Sequence, residues 1–149
     1  MIITFCGHSD YIEKDKDKEC VLALLNKIAN GEDVEFFLGG YGRFDSFAYS
    51  CAKAYKNHAK GSKLIFVTPY ITHEYQKSQL EYKETIYDNI IYPPIEKAPL
   101  RFAISYRNKY MVEQADCIIA YITRQMGGAY NAYKHAIRKN KKVFNIAEK

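Results

Sequence analysis

Five short, almost wholly apolar runs, each separated from the next by a longer stretch, constrain the fold of this chain more than any other feature. They occupy residues 1–6, 34–38, 63–68, 117–122 and 142–146. A strand buried on both faces reads as a continuous apolar run rather than an alternation. Three of the intervening stretches carry clear helical periodicity. Val21, Leu22, Leu25, Ile28 and Ala29 share one face over about 17–30, with Gly31 as a natural stop. Phe44, Phe47, Ala48, Cys51, Tyr55 and His58 recur at i, i+3, i+4, i+7 in a helix ending near Gly61. Ala129, Ala132, Tyr133, Ala136 and Ile137 share a face over 128–140. A further helix over 101–115 has a poorly defined apolar face. The stretch 70–99 reads as an irregular or helical insert, with a helix over about 74–87 and a loop through "YPPIEKAP".

The resulting order, β-α-β-α-β-(insert)-α-β-α-β, predicts an α/β protein. Its form is a Rossmann-like three-layer sandwich with a mainly parallel sheet of about five strands. With 149 residues the chain reads as one domain, 1–149. Right-handed crossovers collect the strand-to-helix loops on one edge of such a sheet, where ligands bind. Three loops meet there: "GHSDY" after the first strand, "GGYGRFD" after the second and "TRQMGGAYN" after the fourth.

The glycines of the last two loops stand where a strand hands over to a helix. A glycine loop opening a helix exposes backbone N–H groups without helical partners, and the helix dipole favours an anion there. Missing Cβ atoms let a phosphate approach closely. The bland alternative is a tight turn. Two such loops at equivalent strand ends point to a phosphate-bearing ligand. Neither is a Walker A loop, since no Gly-Lys-Ser/Thr follows, and "GGYGRF" lacks the GxGxxG spacing of the dinucleotide fingerprint.

Composition narrows the remaining classes. No run is long enough to span a bilayer. "MIITFC" has no basic segment before it, so no signal peptide is expected. Cys6, Cys20, Cys51 and Cys117 are widely spaced, with no CxxC or Cys/His cluster. They read as reduced thiols of a cytoplasmic protein without a metal site. The net charge of +5 includes a basic cluster of Lys134, Arg138, Lys139, Lys141 and Lys142. This is either a solvated helix end or an anion-attracting face.

Taken together, "GGYGRFDSFAYSCA", "RNKYMVEQADCIIAYI" and "MGGAYNAYKHAIRKNKKVFNI" resemble the SLOG superfamily. These Rossmann-like proteins are related to the LOG phosphoribohydrolases and, more distantly, to the DNA-processing protein DprA. The small bacterial and phage members are most similar. The resemblance covers nearly the whole chain and implies a nucleotide or nucleotide-derived ligand at the strand ends, with no cofactor. It implies that Gly39, Gly40 and Gly42 line a phosphate or ribose, and that Asp45 is the acidic residue opening the next helix. It matches Arg107 to the arginine of the LOG R-K-x-x-M pattern, with Met111 in register and Asn108 in place of lysine. Gly127 and Gly128, with Ala129 after them, match the second glycine loop. The family also implies a homodimer or higher oligomer.

One departure bears on activity. LOG enzymes carry P-G-G-x-G-T-x-E-E, whose glutamate serves N-glycosidic cleavage. Here Met126, Tyr130, Asn131, Tyr133 and Lys134 replace the proline, the third glycine, the threonine and the glutamates. Cleaving a ribosyl bond calls for a carboxylate, and only Asp45, Glu113 or Asp116 is at hand as a substitute.

The candidate ligand-binding set is therefore Gly7, His8, Ser9, Gly39, Gly40, Tyr41, Gly42, Arg107, Gly127, Gly128 and Ala129, with Arg107 and Asp45 catalytic only if the protein is an enzyme. His8 and Ser9 are donors to a phosphate or ribose, and Tyr41 or Tyr130 is a stacking partner for a base. Arg101 and Arg124 read as surface residues. The leading expectation is a sensor or carrier of a nucleotide-derived small molecule. A nucleoside-monophosphate N-glycosidase and a single-stranded nucleic-acid binder are the alternatives.

Overall fold

The computed structural model describes residues 1–148. Six strands form one all-parallel sheet: β1 (Ile2–Gly7), β2 (Glu35–Leu38), β3 (Lys63–Val67), β4 (Asn89–Ile91), β5 (Cys117–Tyr121) and β6 (Lys142–Asn145), in the order β4-β3-β2-β1-β5-β6. The expected α/β, Rossmann-like sheet is thus present with one more strand than the five apolar runs suggested. The additional strand is β4, three residues long and at the sheet edge, just before Tyr92 and Pro93. Its brevity hides it in the sequence, and its Asn-Ile-Ile pairs with Ile65–Val67 of β3.

The helices are α1 (Asp17–Ala29), α2 (Arg43–Lys56), α3 (His73–Tyr75), α4 (Glu81–Ile86), α5 (Ala103–Gln114) and α6 (Gly128–Arg138). A π-helical stretch, Gln76–Leu80, joins α3 to α4, and a 3₁₀ turn, Leu100–Phe102, leads into α5. The segment 70–99 therefore holds the crossover that delivers β4, followed by a loop.

Alternate strand residues feed the two faces. Ile3, Phe5, Phe36, Leu38, Leu64, Phe66 and Ile119 pack with Val21 and Leu25 of α1 and Phe44, Phe47 and Tyr55 of α2. The opposite side chains, among them Phe37, Ile65, Ile118 and Ala120, meet Met111 and Val112 of α5 and Ala132 and Ala136 of α6. Each side of the sheet buries an apolar stripe, the arrangement that a continuous apolar strand requires. Among the described residues, no helix is long and apolar enough to cross a membrane.

The chain runs outward from β1 through β2, β3 and β4, then returns to place β5 on the other side of β1. Ile3 pairs with Phe36 on one edge and with Cys117 on the other. The strand order reverses between β1 and β5, and in open α/β sheets the crevice beyond the carboxyl ends of such strands takes the ligand.

Candidate functional site

A cavity of about 500 Å³ opens at this reversal point, a size ordinary for a small-molecule site. Its walls are the end of β1, the mouth of α2, the inner face of α5 and the loop from β5 into α6. Val112, Met111 and Ala132 make an apolar wall, while His8, Ser9, Asp45, Arg107, Asn108 and Arg124 supply the polar groups.

Both glycine loops open helices with the same backbone. Gly42 caps α2 at φ 87°, ψ 172°, and Gly127 caps α6 at φ 93°, ψ 175°, a conformation that glycine adopts without strain. Their surroundings differ. A Cβ on Gly42 would lie 2.7 Å from Ser9 Cβ, and the Arg43 N–H donates to the Ser9 carbonyl at 2.9 Å. A Cβ on Gly39 would lie 2.9 Å from Asp45 Oδ2, and one on Gly40 would lie 2.7 Å from the Phe66 ring. The space left by these glycines is filled by the protein itself, and none of the three lines the cavity. Gly7 does line it, but its missing Cβ makes room for the Phe44 ring. A Cβ on Gly127 or Gly128 would meet nothing within 4 Å, and both residues line the cavity with Ala129. Among the described residues, no side chain caps α6, and none caps α2. The orphan first-turn amides of α6 therefore face open space, whereas the mouth of α2 is plugged by Ser9.

Arg107 is 2% exposed and lies on the buried stripe of α5 with Ala103 and Met111. Its Nη1 donates to the carbonyls of Val67 at 2.7 Å and Gly39 at 3.0 Å, and its Nε to Asn108 Oδ1 at 3.0 Å. Among the described residues, Nη2 has no hydrogen-bond partner. Burial lowers the guanidinium pKa, and the nearby Asp45 charge opposes that shift. The arginine is thus a bracket tying α5 to two strand ends as well as a cavity wall.

Asp45, in the first turn of α2, accepts the Tyr41 N–H through Oδ2 at 2.9 Å. Burial pushes its carboxyl up to about 6, against the Tyr41 amide and the charges of Arg107 and Lys83. It is the one carboxylate lining the cavity among the described residues. Glu113 pairs with His135 at 2.8 Å on the α5–α6 seam, and Asp116 accepts the Ile2 N–H at 2.7 Å at the opposite end of the sheet. Neither reaches the cavity.

His8 is 4% exposed, and its Nε2 accepts the Thr123 N–H at 3.0 Å. Burial, then the Arg124 charge, lowers its pKa, with Asp10 pulling the other way. Tyr41, 67% exposed, stands at the cavity mouth. Tyr130 lies outside the cavity and stacks on Tyr133, with Lys134 over its ring. Cys6 lines the cavity, but burial lifts its thiol to about 12, which leaves it unreactive at neutral pH.

The sequence reading left out two polar residues of the cavity wall, Asn108 and Arg124, the latter exposed as expected, and a third near it, Lys83. Arg124 lines the cavity while pairing with Asp10 at 2.9 Å; its place three residues before Gly127 was the available signal. Asn108 orients Arg107. Lys83, from α4, brings its ammonium to 3.5 Å from the Gly40 carbonyl, over the rings of Phe66 and Tyr87. Burial lowers the Lys83 pKa, and Asp45 raises it. No local pattern marks Lys83, because only the fold of the crossover carries it there. The basic cluster, by contrast, gathers at the far end of α6, where Lys141 donates to the carbonyls of Glu113 and Ala115.

No protein-family model matches the chain, and comparison with curated proteins finds no match either. Solved structures are similar in fold. DNA processing protein A (DprA) from Streptococcus pneumoniae superposes with a TM-score of 0.62 at 16% identity, over 96% of this chain and 49% of that one. The DprA from Helicobacter pylori, in a structure described as giving its single-stranded DNA binding mode, superposes at 0.61 and 15% identity, over 97% and 64%. The structural-genomics target TM1055 gives 0.57 at 12% identity, over 95% and 71%. The chain spans about half the length of the pneumococcal protein. At these identities the likeness is one of architecture: the chain carries the Rossmann-like fold that the DprA structures share, as its resemblance to the SLOG superfamily implies.

Proposed function

We propose that the cavity between β1 and β5 binds a nucleotide or nucleotide-derived phosphate ligand, as a sensor or carrier. The observation that carries this reading is the uncapped start of α6, where Gly127 and Gly128 leave the backbone open to the cavity. Unpaired amides at a helix start and a favourable dipole suit a phosphate. Arg107 Nη2 and Arg124 add positive charge on two other walls, and the apolar wall of Met111 and Val112 suits a base. Binding is favoured over N-glycosidic cleavage because Asp45 is the sole carboxylate there among the described residues, and it already accepts the Tyr41 amide.

A thermal-shift screen of nucleoside mono-, di- and triphosphates tests this, with each sample then analysed by mass spectrometry for free base. A ligand at a hundred times its Kd should add about 2.7 kcal/mol of stability, and recovery of intact ligand is expected. Released base would instead make Asp45 a catalytic group. No stabilisation by any nucleotide would remove the proposal.

Single-stranded DNA binding is a second reading, favoured by the fold likeness to a DprA described by its single-stranded DNA binding mode. It predicts oligonucleotide affinity falling steeply with salt.

A further inference from the structure

We infer that His8 is a fixed neutral hydrogen-bond donor, which restricts the ligand atom beside it to a hydrogen-bond acceptor, as a phosphate oxygen is. This rests on the reading of the cavity as an anion-binding site. The Thr123 N–H donates to His8 Nε2 at 3.0 Å. A ring nitrogen that accepts an N–H carries no proton of its own, so the neutral ring must be protonated at Nδ1. That tautomer follows from a main-chain amide, which cannot reverse its polarity as a hydroxyl or carboxyl could.

His8 is 4% exposed and lines both this cavity and a neighbouring cleft formed with Asp10, Tyr121, Thr123 and Arg124. Among the described residues nothing accepts a hydrogen bond from Nδ1. Every fully buried side-chain nitrogen and oxygen of those residues has a partner, so Nδ1 is reached from open space. The charged groups facing the ring are Arg124 and Asp10, held to each other at 2.9 Å. A second proton on the ring would break the Thr123 contact beside Arg124 and the positive end of α6.

A donor that cannot turn into an acceptor selects its ligand. A phosphate monoester or free phosphate oxygen satisfies Nδ1–H, while an amide N–H or an ammonium group in the same place leaves two donors opposed. His8 and the Gly128 and Ala129 amides would then hold the same anionic group from two walls of the cavity. This gives the otherwise plain helix-start site a side-chain determinant outside the glycine loop.

The test uses ¹⁵N-labelled full-length protein. Long-range ¹H–¹⁵N spectra at pH 7 are expected to show His8 neutral and protonated at Nδ1. Inorganic phosphate and adenosine 5′-monophosphate are then titrated separately. Either should shift the Gly128 and Ala129 amides together with His8 Nδ1, and tighter binding of the nucleotide would identify the ester as the recognised form. Two variants separate the roles of the ring. Glutamine reproduces the Nε2 acceptor for Thr123 and lacks the Nδ1 donor, so His8→Gln should fold normally and weaken binding on the order of tenfold to a hundredfold. Asparagine reproduces the Nδ1 donor, so His8→Asn should lose stability yet bind more tightly than His8→Gln. A ring protonated at Nε2, or a His8→Gln protein that binds as wild type does, overturns the His8 role while leaving the cavity reading intact. Probes that leave Gly128 and Ala129 unmoved overturn both.

Discussion

Arg107 Nη1 donates to the Gly39 carbonyl at 3.0 Å across 68 residues of sequence, and the same nitrogen holds the Val67 carbonyl. One guanidinium thus closes the ends of β2 and β3 against α5. Arg107→Ala leaves two carbonyls without their charged donor in a buried setting, and a loss of about 2–4 kcal/mol is expected in chemical denaturation. A variant as stable as wild type would show that this bracket is not structural. Loss of ligand binding in Arg107→Ala therefore has to be read beside its stability.

The glycines provide a cleaner separation of fold from binding. Gly128 has an ordinary φ, and nothing stands near its missing Cβ. Gly128→Ala is expected to be neutral or to gain up to about 1 kcal/mol, while weakening phosphate or nucleotide binding because a methyl now stands in the cavity. Gly40→Ala meets the Phe66 ring at positive φ and should lose roughly 2 kcal/mol or more. Thermal melts and one titration of each variant check both statements; unchanged affinity in Gly128→Ala would argue against ligand contact there.

Asp45 gives the site a pH signature. Its folded-state value of about 6 lies above the ordinary 3.8, so between the two the folded protein holds a proton that the unfolded chain has released. This contribution is full below about pH 4 and is lost as pH rises through 6. Asp45→Asn should remove that slope, which is measurable as a difference in denaturation midpoints between pH 4 and 7. Lys83→Met should move the Asp45 titration upward, since the Lys83 charge lowers it. A downward movement would contradict the assigned coupling.

At the other end of the molecule, Lys141 donates to the carbonyls of Glu113 and Ala115 at 2.8 and 3.0 Å. Lys141→Ala should cost about 1 kcal/mol by leaving the end of α5 unsupported. Nucleotide affinity should not change. A fall in affinity without a fall in stability would mean that the basic cluster communicates with the cavity.

The architecture was legible because apolar runs and helical stripes are local. The five runs at 1–6, 34–38, 63–68, 117–122 and 142–146 overlap five observed strands, and the helix over 101–115 overlaps α5. β4 was not, since three residues at an edge leave almost no pattern. Within the site, proximity to a strand end was readable, and it brought out His8, Tyr41, Asp45 and Gly127, all of which line the cavity. Which glycines open onto the cavity was not readable. Gly42 and Gly127 share one backbone conformation, and only the packing of Ser9 against the first sets them apart. Lys83 was invisible for a related reason, because only the crossover from β3 to β4 brings its ammonium to the Gly40 carbonyl.

The strand order also sets a sequence of assembly. β1 is flanked by β2, made soon after it, and by β5, whose partner for Ile3 is Cys117. During synthesis β1 to β4 can pair before β5 exists, leaving one long edge of the nascent sheet open to other chains until the second half arrives. The cavity straddles that seam, with His8 on one lip and Gly127 on the other. The pocket is therefore completed only when β5 joins β1 across more than a hundred residues of sequence, and a ligand that fits it would act as a clasp between the two halves of the sheet.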